Sequence, residues 1–185
     1  MKKSLLILGA GEFGAVTKEI AEMIGGYEEI AFLDDNAVHA VGKLDDFALF
    51  SGKFTDAVVA IDDAFLRMRY ISQLKQAGFT IPTLIHPRAY VSPSARIGEG
   101  TIIEPLAIVH TASVIGVSCI LSVGATVNHH ATVCDYAHIS CNSTVMCNTM
   151  VKAGTSTVSG QLYSAEVKLE NTRAWMPNYS FDDGV

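Results

Sequence analysis

The chain has 185 residues, room for one large domain or two small ones with a sizeable core. Its 13 Lys+Arg against 19 Asp+Glu leave a formal charge of −6, without the basic excess that binds nucleic-acid phosphates. Hydrophobic residues reach 49% and charged residues only 17%, yet no apolar run has the roughly 18 to 20 residues that span a bilayer. A nucleic-acid binder, a membrane-inserted protein and a disordered chain are therefore excluded as expectations.

Met1 to Gly9 is basic and then apolar, like a secretion signal, but it runs straight into a glycine-rich turn instead of a cleavage site. A cytoplasmic location follows as the expectation. The four cysteines, Cys119, Cys134, Cys141 and Cys147, contain no CxxC pair and no zinc spacing, so they read as reduced structural thiols with no metal site.

In chain order, Ser4 to Leu8 is a continuous apolar run, the pattern of a strand covered on both faces. It enters Gly9-Ala10-Gly11-Glu12-Phe13-Gly14, followed by a helix to about Ile24. Glu29 to Leu33 is a second strand ending in Asp34-Asp35, and Ala57 to Ile61 a third. A helix from about Phe65 to Gln76 stops at Gly78, and Ile81 to Ile85 is a fourth short extended piece. This alternation predicts a parallel sheet in an α/β unit.

The glycine spacing Gly9-x-Gly11-x-x-Gly14 sits in the strand–turn–helix context where backbone N–H groups can cradle a phosphate. Asp34, 20 residues beyond Gly14, is placed to bond a ribose hydroxyl. About 85 residues make only half a dinucleotide fold, which suits a nucleotide sugar better than NAD. A turn that merely joins strand to helix is the alternative.

From Val91 the pattern changes. Every sixth residue is aliphatic: Val91, Ile97, Ile103, Val109, Ile115, Leu121, Val127, Val133, Ile139, Val145 and Val151. Four places after each stands a small side chain, from Ala95 and Thr101 through Cys119 to Thr155. This is a hexapeptide repeat, the signature of a parallel β-helix in which three hexads make one triangular coil. Eleven hexads give between three and four coils, and a period of six excludes an α-helix. Only Arg96, Glu99, Glu104, Asp135 and Lys152 are charged between Val91 and Gly160, and none is from Pro105 to Cys134. So neutral a prism implies closed assembly, a homotrimer being the expectation.

The glycine-turn domain, the junction Leu84-Ile85-His86-Pro87-Arg88-Ala89-Tyr90-Val91-Ser92-Pro93-Ser94-Ala95 and the hexads together resemble one bacterial family. It is the left-handed β-helix sugar acyltransferases: UDP-4-amino-sugar and perosamine N-acetyltransferases and sialic-acid O-acyltransferases. The left-handed coil is implied by the resemblance and opposes the usual right-handed crossover. The expected organisation is a nucleotide-sugar-binding domain over 1–86, a β-helix over 87–158 and a capping or contact tail over 159–185. Trp175, Tyr179 and Phe181 suggest that the tail folds back.

The resemblance also implies roles. In Asn128-His129-His130-Ala131 and onward to His138, His129 matches the family's catalytic base toward an attacking amine, and His138 the histidine near the acetyl-CoA thioester. The two would meet at a subunit seam. Gly9, Gly11, Glu12, Phe13, Gly14, Asp34 and Asp35 would hold the nucleotide sugar.

Three departures are visible. His130 replaces the acidic residue that would orient His129 and stabilise its imidazolium, so a weaker base is expected. Asn142 and Cys147 stand where glycines usually line the acetyl-CoA site. The repeat fades after Thr155. His86 and His110 read as structural, and outward packing of His129 and His130 without chemistry is the plain alternative. The leading expectation is acetyl-CoA-dependent N-acetylation of a nucleotide-activated amino sugar. Sialic-acid-type O-acylation and a non-catalytic paralogue that keeps scaffold or sugar-nucleotide binding are the alternatives.

Overall fold

The structure, a computed structural model, describes residues 3–164; the expectation for a folded-back tail lies outside the described residues. Strand β1 (Lys3–Leu8) lies between β2 (Tyr27–Leu33) and β3 (Asp56–Val59), all parallel. Leu5 to Leu8 are fully buried, as the apolar run predicts for a strand covered on both sides. Helix α1 (Glu12–Ile24) follows the glycine turn, and α2 (Ala64–Gln76) is capped by Asp63, whose side chain accepts the Leu66 N–H. A 3-10 helix over Leu44–Phe50, absent from the sequence expectation, packs Phe47 and Phe50 onto the core beside α2.

The fourth extended piece does not join this sheet. Leu84–Ile85 pairs with Ile102–Ile103 and forms the first rung of the coil. Ile85 stands six residues before Val91 and so extends the aliphatic column of the repeat by one hexad.

The coil is a left-handed parallel β-helix with three faces. Face one stacks Leu84–Ile85, Ile102–Ile103, Ile120–Leu121 and His138–Ile139. Face two runs from Tyr90–Val91 to Leu162–Tyr163, and face three from Arg96–Ile97 to Met150–Val151. Stacked partners are 18 residues apart, as with Ile103 and Leu121, so each coil is three hexads. The aliphatic column from Ile103 to Val151 is fully buried. The small residues Thr101, Ala107, Ser113, Cys119, Ala125, Ala131, Ala137 and Ser143 are equally buried.

The coil continues past Thr155, where the hexad pattern fades from the sequence. Leu162–Tyr163 pairs with Thr144–Val145. Thr157 occupies the aliphatic slot and is 5% exposed, with its hydroxyl accepting the Ser140 N–H at 2.8 Å. A threonine and a tyrosine in place of aliphatics erase the sequence signal while backbone pairing goes on.

Between faces the chain turns at corners spaced six residues apart, each in the left-handed backbone region. Leu106, Gly124, Asn142 and Gly160 form the edge between faces one and two. Ala112, His130 and Asn148 form the edge between two and three, and Gly100, Ser118, Tyr136 and Gly154 the edge between three and one. Most corner N–H groups reach a carbonyl of the coil before them, as His130 does to Thr111 O at 3.0 Å and Asn142 to Val123 O at 3.0 Å. Stacking thus offsets the strain of a positive φ at non-glycine residues.

The two parts are locked together. Leu84 and Ile102 of face one pack with Leu5, Ile7 and Ile20. Arg67 of α2, 1% exposed, donates to Ser118 O at 3.0 Å, Ile61 O at 2.9 Å and Asp62 O at 2.6 Å, and also to Tyr136 O. Two acceptors are corners of the coil and two belong to the segment after β3. A buried guanidinium satisfied wholly by carbonyls is a clamp between the parts.

Candidate active site

In a parallel α/β sheet ligands meet the carboxyl ends of the strands. Here that rim carries the glycine turn after β1, Asp34 and Asp35 after β2, and Asp62 after β3. The glycines are there for different reasons. A Cβ on Gly9, whose φ is +104°, would lie 2.5 Å from Ala60 O, and one on Gly14 would lie 2.2 Å from Gly9 O. Both are demanded by the turn itself. Gly11 has nothing within 4 Å of a Cβ, so its smallness serves open space. It is the N-cap of α1 and supplies no side-chain cap, which leaves the first N–H groups of the helix directed into that space. Glu12 is exposed, and Phe13 packs partly onto the core formed by Leu5, Ile7 and Ile20.

Asp34 is more occupied than its spacing suggests. Oδ2 accepts the Ala10 N–H at 2.9 Å, and Oδ1 accepts those of Asn36 at 2.8 Å and Ala37 at 2.9 Å. These three backbone bonds hold the carboxyl below its ordinary range. Asp34 therefore ties the glycine turn to the end of β2 and has little acceptor capacity left for a ribose. Asp35 accepts the Leu44 N–H at 3.1 Å through Oδ1.

On the coil, the histidines fall into two places. His129 and His130 sit at the edge between faces two and three, with Nδ1 atoms 3.1 Å apart and rings edge-to-face at 5.3 Å. Two Nδ1 atoms at that distance require one imidazole to donate to the other. Asn128 Oδ1 accepts the His129 N–H at 2.8 Å, and His110 packs edge-on to His129 at 6.1 Å. His110, read as structural, is thus a direct neighbour of the candidate base. His86 is buried, accepting the Arg88 N–H through Nδ1 at 3.0 Å.

His138 is elsewhere, on face one, which is the face opposite that edge in a three-sided prism. One protomer therefore does not bring His129 and His138 together. Cys147 lies one coil along from His129, by the same edge, whereas Asn142 is a corner beside face one. Asn142 leans over the preceding corner: a Cβ on Gly124 would meet its Oδ1 at 2.3 Å.

Burial lowers the His138 pKa, Arg67 adds to this, and Asp62 opposes it. Glu104 is pushed up by burial and by Asp62, against hydrogen bonds from the Val123 N–H and the Ser122 side chain. Asp62 thus places the rim of the α/β sheet alongside His138 and Glu104. Sequence reasoning missed Glu104 and Ser122 as site residues. The available signal was a charge in a segment that has only five.

Burial also pushes the Cys119 thiol up to about 12, so it remains a thiol, donating to Cys134 O at 3.2 Å. No three His, Cys, Asp or Glu side chains cluster to hold a metal ion among the described residues.

A hexapeptide coil with imidazoles on one edge, docked to a small α/β unit with an open glycine turn, has the build of a left-handed β-helix acyltransferase. Residues 4–74 match the PglD N-terminal domain family. The acetyltransferase domain of PglB from Neisseria gonorrhoeae, solved with acetyl coenzyme A, is 32% identical with a TM-score of 0.78, over 86% of this chain and 81% of that one. The chain belongs to this family of bacterial left-handed β-helix sugar acetyltransferases. Two further structures share the fold at lower identity. One is a variant of perosamine N-acetyltransferase from Caulobacter crescentus with CoA and GDP-perosamine, at 24% identity and TM-score 0.72, over 87% of this chain and 91% of that one. The other is WeeI from Acinetobacter baumannii, at 19% and 0.63, over 85% and 87%. Among the described residues no helix is long and apolar enough to cross a membrane.

Proposed function

We propose that the protein transfers an acetyl group from acetyl-CoA to the amine of a nucleotide-activated sugar, as a homotrimer. The observation that carries this reading is the placement of His129 on the edge opposite face one, where His138 lies beside the rim of the nucleotide domain. A site using both imidazoles needs the edge of one subunit against face one of another. Packing of prisms about a three-fold axis provides that arrangement. The neutral stretch from Pro105 to Cys134 suits such a seam.

The open turn at Gly11, with Glu12, Phe13 and Gly14 opening α1, takes the nucleotide diphosphate, and Gly9 shapes the turn. Asp35 and the remaining lone pair of Asp34 contact the nucleoside. At the seam the sugar amine attacks the thioester carbonyl. The C–N bond forms, the C–S bond breaks, and the amine proton passes to His129, which returns it to the departing sulfur so that CoA leaves as the thiol. A neutral imidazole suits this at pH 7. The Nδ1–Nδ1 contact lets His130 accept the hydrogen that His129 carries on Nδ1, partly replacing a carboxylate. Asn142 and Cys147, on opposite sides of the seam, line the channel for the acyl donor. The α/β unit for the nucleotide sugar and the coil from Leu84 onward for acyl transfer express this division.

The test is acetyl transfer assayed with acetyl-CoA and a panel of UDP- and GDP-linked 4-amino sugars, beside CMP-sialic acid. His129→Ala lowers kcat/KM by about 10² to 10⁴ on this reading. Light scattering gives three times 19.8 kDa. A monomer, or unchanged turnover in His129→Ala, counts against the shared site. Acetylation confined to a sialic-acid hydroxyl would favour the O-acyltransferase reading. Absence of acetyl-CoA binding would favour a non-catalytic paralogue.

A further inference from the structure

The rim of the α/β sheet carries four aspartates, and three of them are occupied. Asp34 accepts three backbone N–H groups, Asp35 accepts that of Leu44, and Asp63 accepts that of Leu66 at the start of α2. Asp62 is exposed, and its carboxylate has no hydrogen bond or ion pair among the described residues. Only its backbone is tied: Asp62 O accepts from Arg67 Nη1 at 2.6 Å.

The segment that ends in Asp62 is a wall between the two halves of the site. On one side it abuts the glycine turn, where a Cβ on Gly9 would lie 2.5 Å from Ala60 O and 3.0 Å from Ile61 Cγ1. On the other side it meets the coil. The guanidinium that holds Asp62 O through Nη1 also holds Tyr136 O through Nη2. Carbonyls bonded to the two ends of one planar fork are near neighbours, and His138 opens its strand two residues after Tyr136. Asp62 therefore stands between the turn at Gly9 to Gly14 and the histidine on face one. Its charge reaches that far, favouring a proton on His138 and on Glu104.

We propose that Asp62 is a specificity residue that binds the ammonium group of the incoming sugar and so selects an amino sugar over its hydroxyl counterpart. This rests on the acetyl-transfer reading above and gives its choice of amine a residue. The charged and titratable groups around Asp62 are engaged elsewhere. Arg67 donates to four carbonyls, Asp63 caps α2, His138 Nε2 lies 2.9 Å from Ser122 Oγ, and Glu104 accepts the Val123 N–H.

A sugar amine titrates near the range of an α-amino group, about 8, and arrives at pH 7 mostly as a cation. A carboxylate takes from it a charge-assisted hydrogen bond, stronger than one from a neutral hydroxyl. One proton leaves to solvent before the nitrogen lone pair attacks the thioester, and the second passes to His129. The amide that results is neutral, so the group that gathers substrate does not hold product. An interaction made with the ground-state ammonium lowers KM and adds nothing to kcat.

The experiment is calorimetric binding to the full-length protein, without acetyl-CoA, between about pH 6 and 9. The ligands are UDP- and GDP-linked 4-amino sugars, their N-acetylated forms and the parent 4-hydroxy sugars. Wild type is expected to prefer the amino sugar about tenfold below pH 7, with the preference fading as the amine loses its proton. Asp62→Asn keeps the size of an exposed side chain and should abolish both the preference and its pH dependence. Affinity for the 4-hydroxy sugar should stay as it was, a result that a merely structural role of Asp62 would not give. Asp62→Glu, which restores the charge, should recover part of the preference. In turnover, Asp62→Asn should raise KM about tenfold and leave kcat unchanged. A wild type without the preference overturns the proposal even if no variant folds. So does a folded Asp62→Asn that keeps it, and so does failure of every nucleotide sugar to bind. Preference intact in a protein that never transfers acetyl would sink the functional reading and leave this one standing. Transfer without the preference would do the reverse.

Discussion

The two parts of the molecule reach a buried core by opposite means. The α/β unit buries a few large side chains, Leu5 to Leu8, Leu33, Phe54 and Leu74, that are irregularly spaced and drawn from β1, β2, α2 and the loop before β3. The coil buries one aliphatic and one small residue per hexad, repeated until the stack ends. In the first, each contact is particular. In the second, each layer repeats its neighbour, so an error in one layer is felt mainly by those adjoining it. The difference predicts where each part is fragile.

The largest effect is expected inside the coil. Ile115→Asp or Val133→Asp puts a carboxylate at a fully buried position without a partner, costing on the order of 4 kcal/mol or more. Chemical denaturation reads this, and a variant of wild-type stability would show that the repeat tolerates a broken layer. Next comes the clamp. Arg67→Met removes every hydrogen bond to four carbonyls and should cost about 2 to 4 kcal/mol. Limited proteolysis should then cut the α/β unit first, while the coil persists. Equal sensitivity of both parts would mean that they do not unfold separately.

Within the glycine turn the contrast is sharper. Gly14→Ala drives a Cβ against Gly9 O and is expected to destabilise by about 1 to 3 kcal/mol. Gly11→Ala meets nothing within 4 Å and should stay within about 1 kcal/mol of wild type, yet weaken nucleotide-sugar binding by calorimetry. A Gly11→Ala protein that binds normally would remove the turn from the ligand site.

The smallest expected effect is in pH. Burial holds the His138 pKa below its ordinary value. As pH falls through the ordinary histidine range, the unfolded chain takes up a proton that the folded chain resists. Stability therefore declines on the acid side until His138 protonates in the folded state too. His138→Gln should flatten that limb of the melting-temperature profile, and an unaltered profile would show that other groups set it.

His130→Asp probes both the edge and its chemistry. The corner has φ 58°, a region that Asp tolerates better than most residues, so the fold should hold. A carboxylate beside His129 should leave activity unchanged or raise it, and move the acidic limb of the rate profile upward. A fall in activity would assign a specific part to the paired imidazoles.

The sequence alone determined the repeat, its period, its inward-facing residues and the glycine turn. These are local facts: side-chain volume and polarity at one position decide whether it fits the interior of a coil or a tight turn. It did not show that the coil begins at Leu84 or runs past Thr155, because Leu84–Ile85 continues the extended piece from Ile81 and Thr157 and Tyr163 fill aliphatic slots. The corners were also hidden, since only four of their eleven residues are glycine. Tertiary structure decided the rest. Stacking at 18 residues lines up Glu104 with Ser122, and docking of the α/β unit through Arg67 brings Asp62 toward His138. Winding into a three-sided prism sets His129 and His138 on opposite sides, although they are nine residues apart in the chain. Separation along the chain says little about distance around a prism, because each hexad turns the backbone by a third of a revolution.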